Sequence, residues 1–317
     1  MTALYRPDGT IAMERSDVTA FPRSTMQEDV ASEHYGELDV RLDPRNRTYW
    51  CMLMPQGRPS FTPGLLADLA RMQASIPALY ARHARSGDCP MRYFVVGSKL
   101  SGIFNLGGDL GLFAEHIRKG NRDELATYAR ACIKVVYNNA VNYELPIVTI
   151  ALVQGDALGG GFEAALSCDV IIAERRAKFG LPEVLFNMFP GMGAYSFLAR
   201  RLGSVQAERM ILSGKLFGAE ELHDLGIVDV LVDDGKGRRA VEDYIHRNTR
   251  RHNSHSAIYR TRRRVNPVTY EELSDIIDIW VDTALQLKEV DLRKMMRLTM
   301  AQDRRRSGLP QDEAEAV

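Results

Sequence analysis

Glu163 and Glu183 lie twenty residues apart in otherwise apolar surroundings, both just downstream of the glycine run Gly159-Gly160-Gly161. Carboxyl groups held in apolar company are candidates for proton transfer, because poor solvation moves their pKa toward neutrality. The glycines follow an apolar, β-branched run, Leu145 to Val153, and precede a helix-forming segment, Phe162 to Ser167. That order predicts a buried strand, a loop bare of side chains and a helix N-terminus. The first backbone N–H groups of a helix lack intrahelical partners and carry the positive end of its dipole, so they can hold a negatively polarised oxygen. Each part alone is ordinary: glycine triplets make tight turns, and a first-turn glutamate is favoured by the dipole without any chemistry. Two phosphate-binding alternatives fail on spacing. The G-x-G-x-x-G fingerprint is absent, and Gly214-Lys215 lacks the upstream pattern and following hydroxyl of a P-loop.

The combination resembles the crotonase (enoyl-CoA hydratase/isomerase) superfamily. Many of its members carry A-x-G-G-G-x-E-L-A-x-x-C-D, then G-x-P-E, then a P-G-x-G turn. Here these read Ala157-Leu158-Gly159-Gly160-Gly161-Phe162-Glu163-Ala164-Ala165-Leu166-Ser167-Cys168-Asp169, Leu181-Pro182-Glu183 and Pro190-Gly191-Met192-Gly193. Phe104-Asn105-Leu106-Gly107-Gly108-Asp109 stands where the family has its F-x-A-G-x-D loop. The resemblance implies that Glu163 and Glu183 are the catalytic glutamates. It also implies that the N–H groups of Gly108 and Gly160, with Gly159 beside them, polarise a thioester carbonyl. Removing one donor from such an oxyanion hole costs ~10²–10³ in rate. Within the superfamily, Asn105 to Leu110, Gly180 to Phe186, Phe189 to Phe197 and Ile279 to Ala284 resemble the diffusible signal factor synthases of bacterial quorum sensing, which act on acyl chains held by acyl carrier protein.

The elements that must position these groups read in order. Residues 1 to 33 mix Pro, Arg, Ser and acids without periodicity and read as a loosely ordered extension. A hairpin follows, then a helix beginning at Pro63 under a Thr62 cap, with Leu65, Leu66, Leu69, Met72, Ile76 and Leu79 on one face. Met91 to Val96 is a strand leading to the first glycine loop, and helices over Leu112 to Lys119 and Arg122 to Tyr143 return the chain to the second. Strand, helix, strand in this order implies a parallel sheet. The fold class is α/β, and the resemblance implies a crotonase-like spiral of repeated ββα units over 34–240, with a C-terminal helical region over 241–317 that covers the acyl pocket and makes oligomer contacts, a homotrimer in many relatives. On that basis Met192, Trp280 and Leu298 are expected to line the acyl pocket.

Composition limits the alternatives. Forty-one basic and 41 acidic residues cancel, so binding to nucleic acid or to a membrane would need a local patch. Four dispersed cysteines make no C-x-x-C pair and read as reduced packing residues, and no apolar run approaches a spanning length, which makes a cytoplasmic protein the expectation. The one anomaly is Tyr244 to Tyr270, with seven arginines and no acid. Arg262, Arg263 and Arg264 within it are expected to dock an acidic carrier, and aromatic residues are too few for a nucleic-acid platform. No metal or redox cofactor is expected. The expected reaction is dehydration of a 3-hydroxyacyl chain on acyl carrier protein to the cis-2-enoyl thioester, then hydrolysis. A conventional enoyl-CoA hydratase of fatty acid β-oxidation and a silent binding protein of the same fold remain open, as does the choice of base between Glu163 and Glu183.

Overall fold

The computed structural model describes residues 3–5, 11–13, 25–84 and 89–306. Two sheets carry the core. The larger has six strands in the spatial order Val230–Val232, Val170–Glu174, Val148–Val153, Tyr93–Ser98, Thr48–Leu53 and Leu38–Asp43. All neighbours are parallel except the outermost pair, the hairpin Leu38–Asp43 with Thr48–Leu53. The smaller has four, Leu216–Gly218, Lys178–Gly180, Gly155–Leu158 and Gly102–Asn105. Strands buried on both faces need no polar alternation, and Val148–Val153 accordingly reads Val-Thr-Ile-Ala-Leu-Val with every residue buried.

The repeat expected from the resemblance is explicit in the chain order. Tyr93–Ser98 in the large sheet is followed by Gly102–Asn105 in the small one and then by the helix Leu110–Lys119. Val148–Val153, Gly155–Leu158 and the helix Gly160–Leu166 repeat the pattern, and Val170–Glu174, Lys178–Gly180 and the 3-10 turn Pro182–Phe186 repeat it again. Each unit crosses from one sheet to the other and ends at a loop facing the same cavity. This is the α/β spiral of ββα units.

Several boundaries differ from the sequence reading. The strand entering the glycine cluster starts at Val148 rather than Leu145, because Asn142 to Glu144 form a 3-10 turn with positive φ that Pro146 and Ile147 follow. The helix expected over Arg122 to Tyr143 ends at Ala140 for the same reason. Most of the extension expected over 1–33 lies outside the described residues, but its end is a helix, Met26–Ser32, with Met26 and Val30 buried. A reciprocal cap starts that helix: Glu28 N–H donates to Thr25 Oγ1 at 3.2 Å and Thr25 N–H to Glu28 Oε2 at 2.6 Å. No helix among the described residues is long and apolar enough to cross a membrane.

Candidate active site

The three repeats deliver their loops to one apolar cavity of about 50 Å³. Gly108 arrives from the first, Gly160 and Glu163 from the second, and Glu183 from the third, while Met192, Trp280 and Met295 close it. Most of the sequence-predicted groups are therefore brought together, from segments up to 172 residues apart, Gly108 to Trp280.

Gly159 shows why the run must be glycine. Its φ of +50° is one that side-chain-bearing residues avoid, and a Cβ there would lie 2.4 Å from Glu183 Oε1. The Glu183 carboxyl thus rests directly on the second glycine loop. At Gly160 a Cβ would meet Met192 Sδ at 2.4 Å and Phe61 at 3.3 Å, so a side chain would displace the cavity wall. Around both loops the neighbouring N–H groups are bonded: Gly107 N–H donates to Asn105 Oδ1, Gly159 N–H to Gly180 O and Asp109 N–H to Tyr128 Oη. No bond from the Gly108 or Gly160 N–H is seen among the described residues, and both residues line the cavity.

The carboxyls differ in environment. Glu163 is 1% exposed. Burial pushes its pKa well above the usual carboxylate range and the neighbouring Glu183 adds repulsion, while N–H bonds from Ala194 and Met192 pull the other way. The Ala194 bond is 2.9 Å and comes from the first residue of the helix Ala194–Leu202, so the glutamate also caps that helix. Glu183 begins the Pro182–Phe186 turn, and its Oε2 is buried without a hydrogen-bond partner among the described residues. Burial raises its pKa to about 7. Two nearby carboxyls in an apolar cavity cannot both ionise cheaply, so the pair favours a state that shares one proton.

Other expectations are redistributed. Met192 and Trp280 line the cavity, Trp280 packing edge-to-face on Phe113 at 5.0 Å. Leu298 does not line it; one helical turn earlier, Met295 takes that place, while Leu298 packs on the core from a half-buried position. Arg262 and Arg263, two of the three arginines expected to dock an acidic carrier, have an acidic partner within the chain. Both reach Asp169, the last residue of the glycine signature, at 2.7 and 3.0 Å. Asp169 is 3% exposed and also accepts from Asn142 Nδ2 and Thr149 N–H, so the helix His252–Val265 is fastened to the core there. Arg264 is exposed. Sequence reasoning missed Tyr128, whose hydroxyl donates to Phe61 O and accepts from Asp109 N–H, holding the first glycine loop against the cavity. Nothing in its local sequence marks it, since the partners lie 67 and 19 residues away.

Comparison with known proteins agrees with this geometry. Residues 84–262 match the enoyl-CoA hydratase/isomerase family model. Among curated proteins, the mitochondrial methylglutaconyl-CoA hydratase of Rattus norvegicus is 30% identical over 218 residues, 68% of this chain and 64% of that protein. The chain thus spans a little under two thirds of that relative's length. Among solved structures, an enoyl-CoA hydratase of Bacillus halodurans superposes with a TM-score of 0.67 at 23% identity, covering 83% of this chain and all of that one. DspI of Pseudomonas aeruginosa superposes with a TM-score of 0.57 at 23% identity, covering 86% and 98%. At those identities the two structures share the fold.

Proposed function

The chain belongs to the enoyl-CoA hydratase/isomerase family, and from that premise we propose that it eliminates water from a 3-hydroxyacyl thioester and then hydrolyses the product to a free cis-2-unsaturated fatty acid, with acyl carrier protein as the acyl donor. The observation that carries the elimination is the unequal pair of carboxyls beside two free loop N–H groups in a water-poor cavity. The thioester oxygen lies against the Gly108 and Gly160 N–H groups, which acidifies C2 by stabilising the enolate. Glu183, ionised near neutrality, removes the C2 proton. Glu163 gives its proton to the 3-hydroxyl, which leaves as water. The stronger rise at Glu163 supports Glu163 as the acid and Glu183 as the base, the choice left open by the sequence.

The second half follows from the state the first leaves behind. Glu163 is then a carboxylate and Glu183 a carboxylic acid. Glu163 can take a proton from water as its oxygen attacks the thioester carbon, and Glu183 can protonate the departing thiolate, which restores the starting pair. A covalent route has little support. Cys132 is the thiol on the cavity wall, and burial pushes its pKa up, away from the thiolate.

Mass spectrometry of the products from a 3-hydroxyacyl carrier protein and the matching 3-hydroxyacyl-CoA tests the reading. A free cis-2-unsaturated acid, formed faster from the carrier-bound chain, is expected. The name of the rat relative favours a second reading, a hydratase of acyl-CoA, and trans-2-enoyl-CoA as the sole product would establish that one instead. No turnover of either would leave a silent binding protein.

A further inference from the structure

A second concave region lies at the other end of the parallel strands. Arg92 and Pro146 immediately precede the strands Tyr93–Ser98 and Val148–Val153, whereas the catalytic loops come after them, and six residues of strand span roughly 20 Å. The cavity there measures about 310 Å³, shares no lining residue with the active site, and is roofed by the start of the helix His252–Val265.

Its walls hold hydrogen-bonding groups that the chain leaves unused. Ser256 is 4% exposed and His252 8% exposed, yet Ser256 Oγ and His252 Nδ1 have no hydrogen-bond partner among the described residues, and neither does the buried Nε of Arg92. The neighbouring hydroxyls on the same helix behave differently: Ser254 donates to Arg251 O and Thr261 to Ala257 O, both at 2.9 Å. The Ser256 hydroxyl is therefore an unused donor buried in the wall of the cavity. Arg92, Arg250 and Arg260 also line the space and pair with no carboxylate among the described residues, in contrast to Arg262 and Arg263 further along the helix. No acidic side chain among the described residues lines the cavity.

We propose that this cavity binds a phosphate group, as the free anion or as a phosphomonoester. Three guanidinium forks line the space from a strand start, the helix and the preceding turn, with the Ser256 hydroxyl beneath them, which suits an oxyanion with several acceptor oxygens. The volume exceeds one phosphate, and Pro146 and Ala257 supply an apolar side against which an ester substituent packs. This site is independent of the thioester chemistry, since none of its groups touches the catalytic loops.

The test is calorimetric titration of the full chain at low salt with inorganic phosphate and, separately, with phenyl phosphate. Saturable uptake is expected, weakened at least tenfold by Arg260→Gln and by Arg92→Gln and about threefold by Ser256→Ala, with dehydration of a short thioester unchanged. Phenyl phosphate binding tighter than phosphate would identify the monoester as the ligand, and equal binding the free anion. Arg260 is exposed, so Arg260→Gln remains informative if Arg92→Gln misfolds. The proposal is overturned by an absence of saturable uptake, by uptake indifferent to both arginine substitutions, or by an arginine variant that changes the oligomeric mass in light scattering without changing uptake, which would make the patch a contact between copies.

Discussion

Glu183 sets catalysis and stability against each other. Its folded carboxyl holds a proton up to about 7, whereas the unfolded chain releases it near 4.5. Between those values the folded state binds more protons, so the parental protein loses stability as pH rises from 4.5 to 7. Glu183→Gln removes that penalty. It is expected to be more stable than the parent at pH 8, on the order of 2 kcal/mol in a denaturant titration, and to show little gain at pH 4. In the same variant dehydration should fall by ~10²-fold or more, since an amide cannot take the C2 proton. Glu163→Gln should lose as much activity for the opposite reason, having no proton to give. Acid and base roles also predict the form of the parental pH–rate profile. Its acidic limb should rise through about 7 as Glu183 ionises, and Glu183→Gln should abolish that limb. An acidic limb that survived Glu183→Gln would move the base role elsewhere.

Asp169 couples the second repeat to the C-terminal helices. It is the buried end of a network in which Arg262, Arg263, Asn142 and Thr149 all donate to one carboxylate. Removing that carboxylate leaves two guanidinium groups facing the cavity behind the glycine helix, and Asp169→Asn is expected to destabilise the fold by about 2–4 kcal/mol, below the range for fully buried pairs because Arg262 is 44% exposed. Chemical denaturation measures it, and a loss under 1 kcal/mol would mean that the network is not what fastens the helix. Reversing Arg262, Arg263 and Arg264 together would therefore test this fastening rather than carrier docking. Arg264→Glu alone is the cleaner probe of a carrier surface. The sequence made the glycine helix, both glutamates and the alternation of strands and helices legible because they rest on local spacing. It hid the pairing of the arginines because Asp169 lies 93 and 94 residues before them, and a charge run has no local sign of its partner. It also misjudged Leu298 against Met295, since an apolar stripe says which face is buried and not which turn meets the cavity.

At the scale of the whole molecule, the C-terminal helices close the candidate cavity against the repeats. Tyr270–Ala284 buries Leu273, Ile277, Trp280, Val281 and Ala284 against the repeats, and Glu289–Arg306 adds Leu292 and Met295. Ion pairs also cross this seam, Arg118 to Glu289, Arg122 to Asp282 and Arg130 to Asp278, but all six side chains are 42–60% exposed and solvent screens such pairs strongly. The apolar stripe therefore holds the cover in place. A cavity of about 50 Å³ has room for roughly three or four waters, not for a fatty acyl chain, so the proposed substrate would have to displace part of that stripe to enter. Trp280 is the largest obstacle. It packs on Phe113 and over Gly191, where a Cβ would meet its indole at 2.6 Å, so it has no free volume into which to retreat without moving its helix. Trp280→Ala is expected to lower stability by about 3–4 kcal/mol while opening the pocket. In kcat/KM measured across 3-hydroxyacyl thioesters of increasing length, short chains should lose activity and long chains should gain relative to them by about tenfold, because the long chain refills the space the indole vacated. A uniform loss at every length would place the acyl path away from Trp280 and leave the indole as core packing alone.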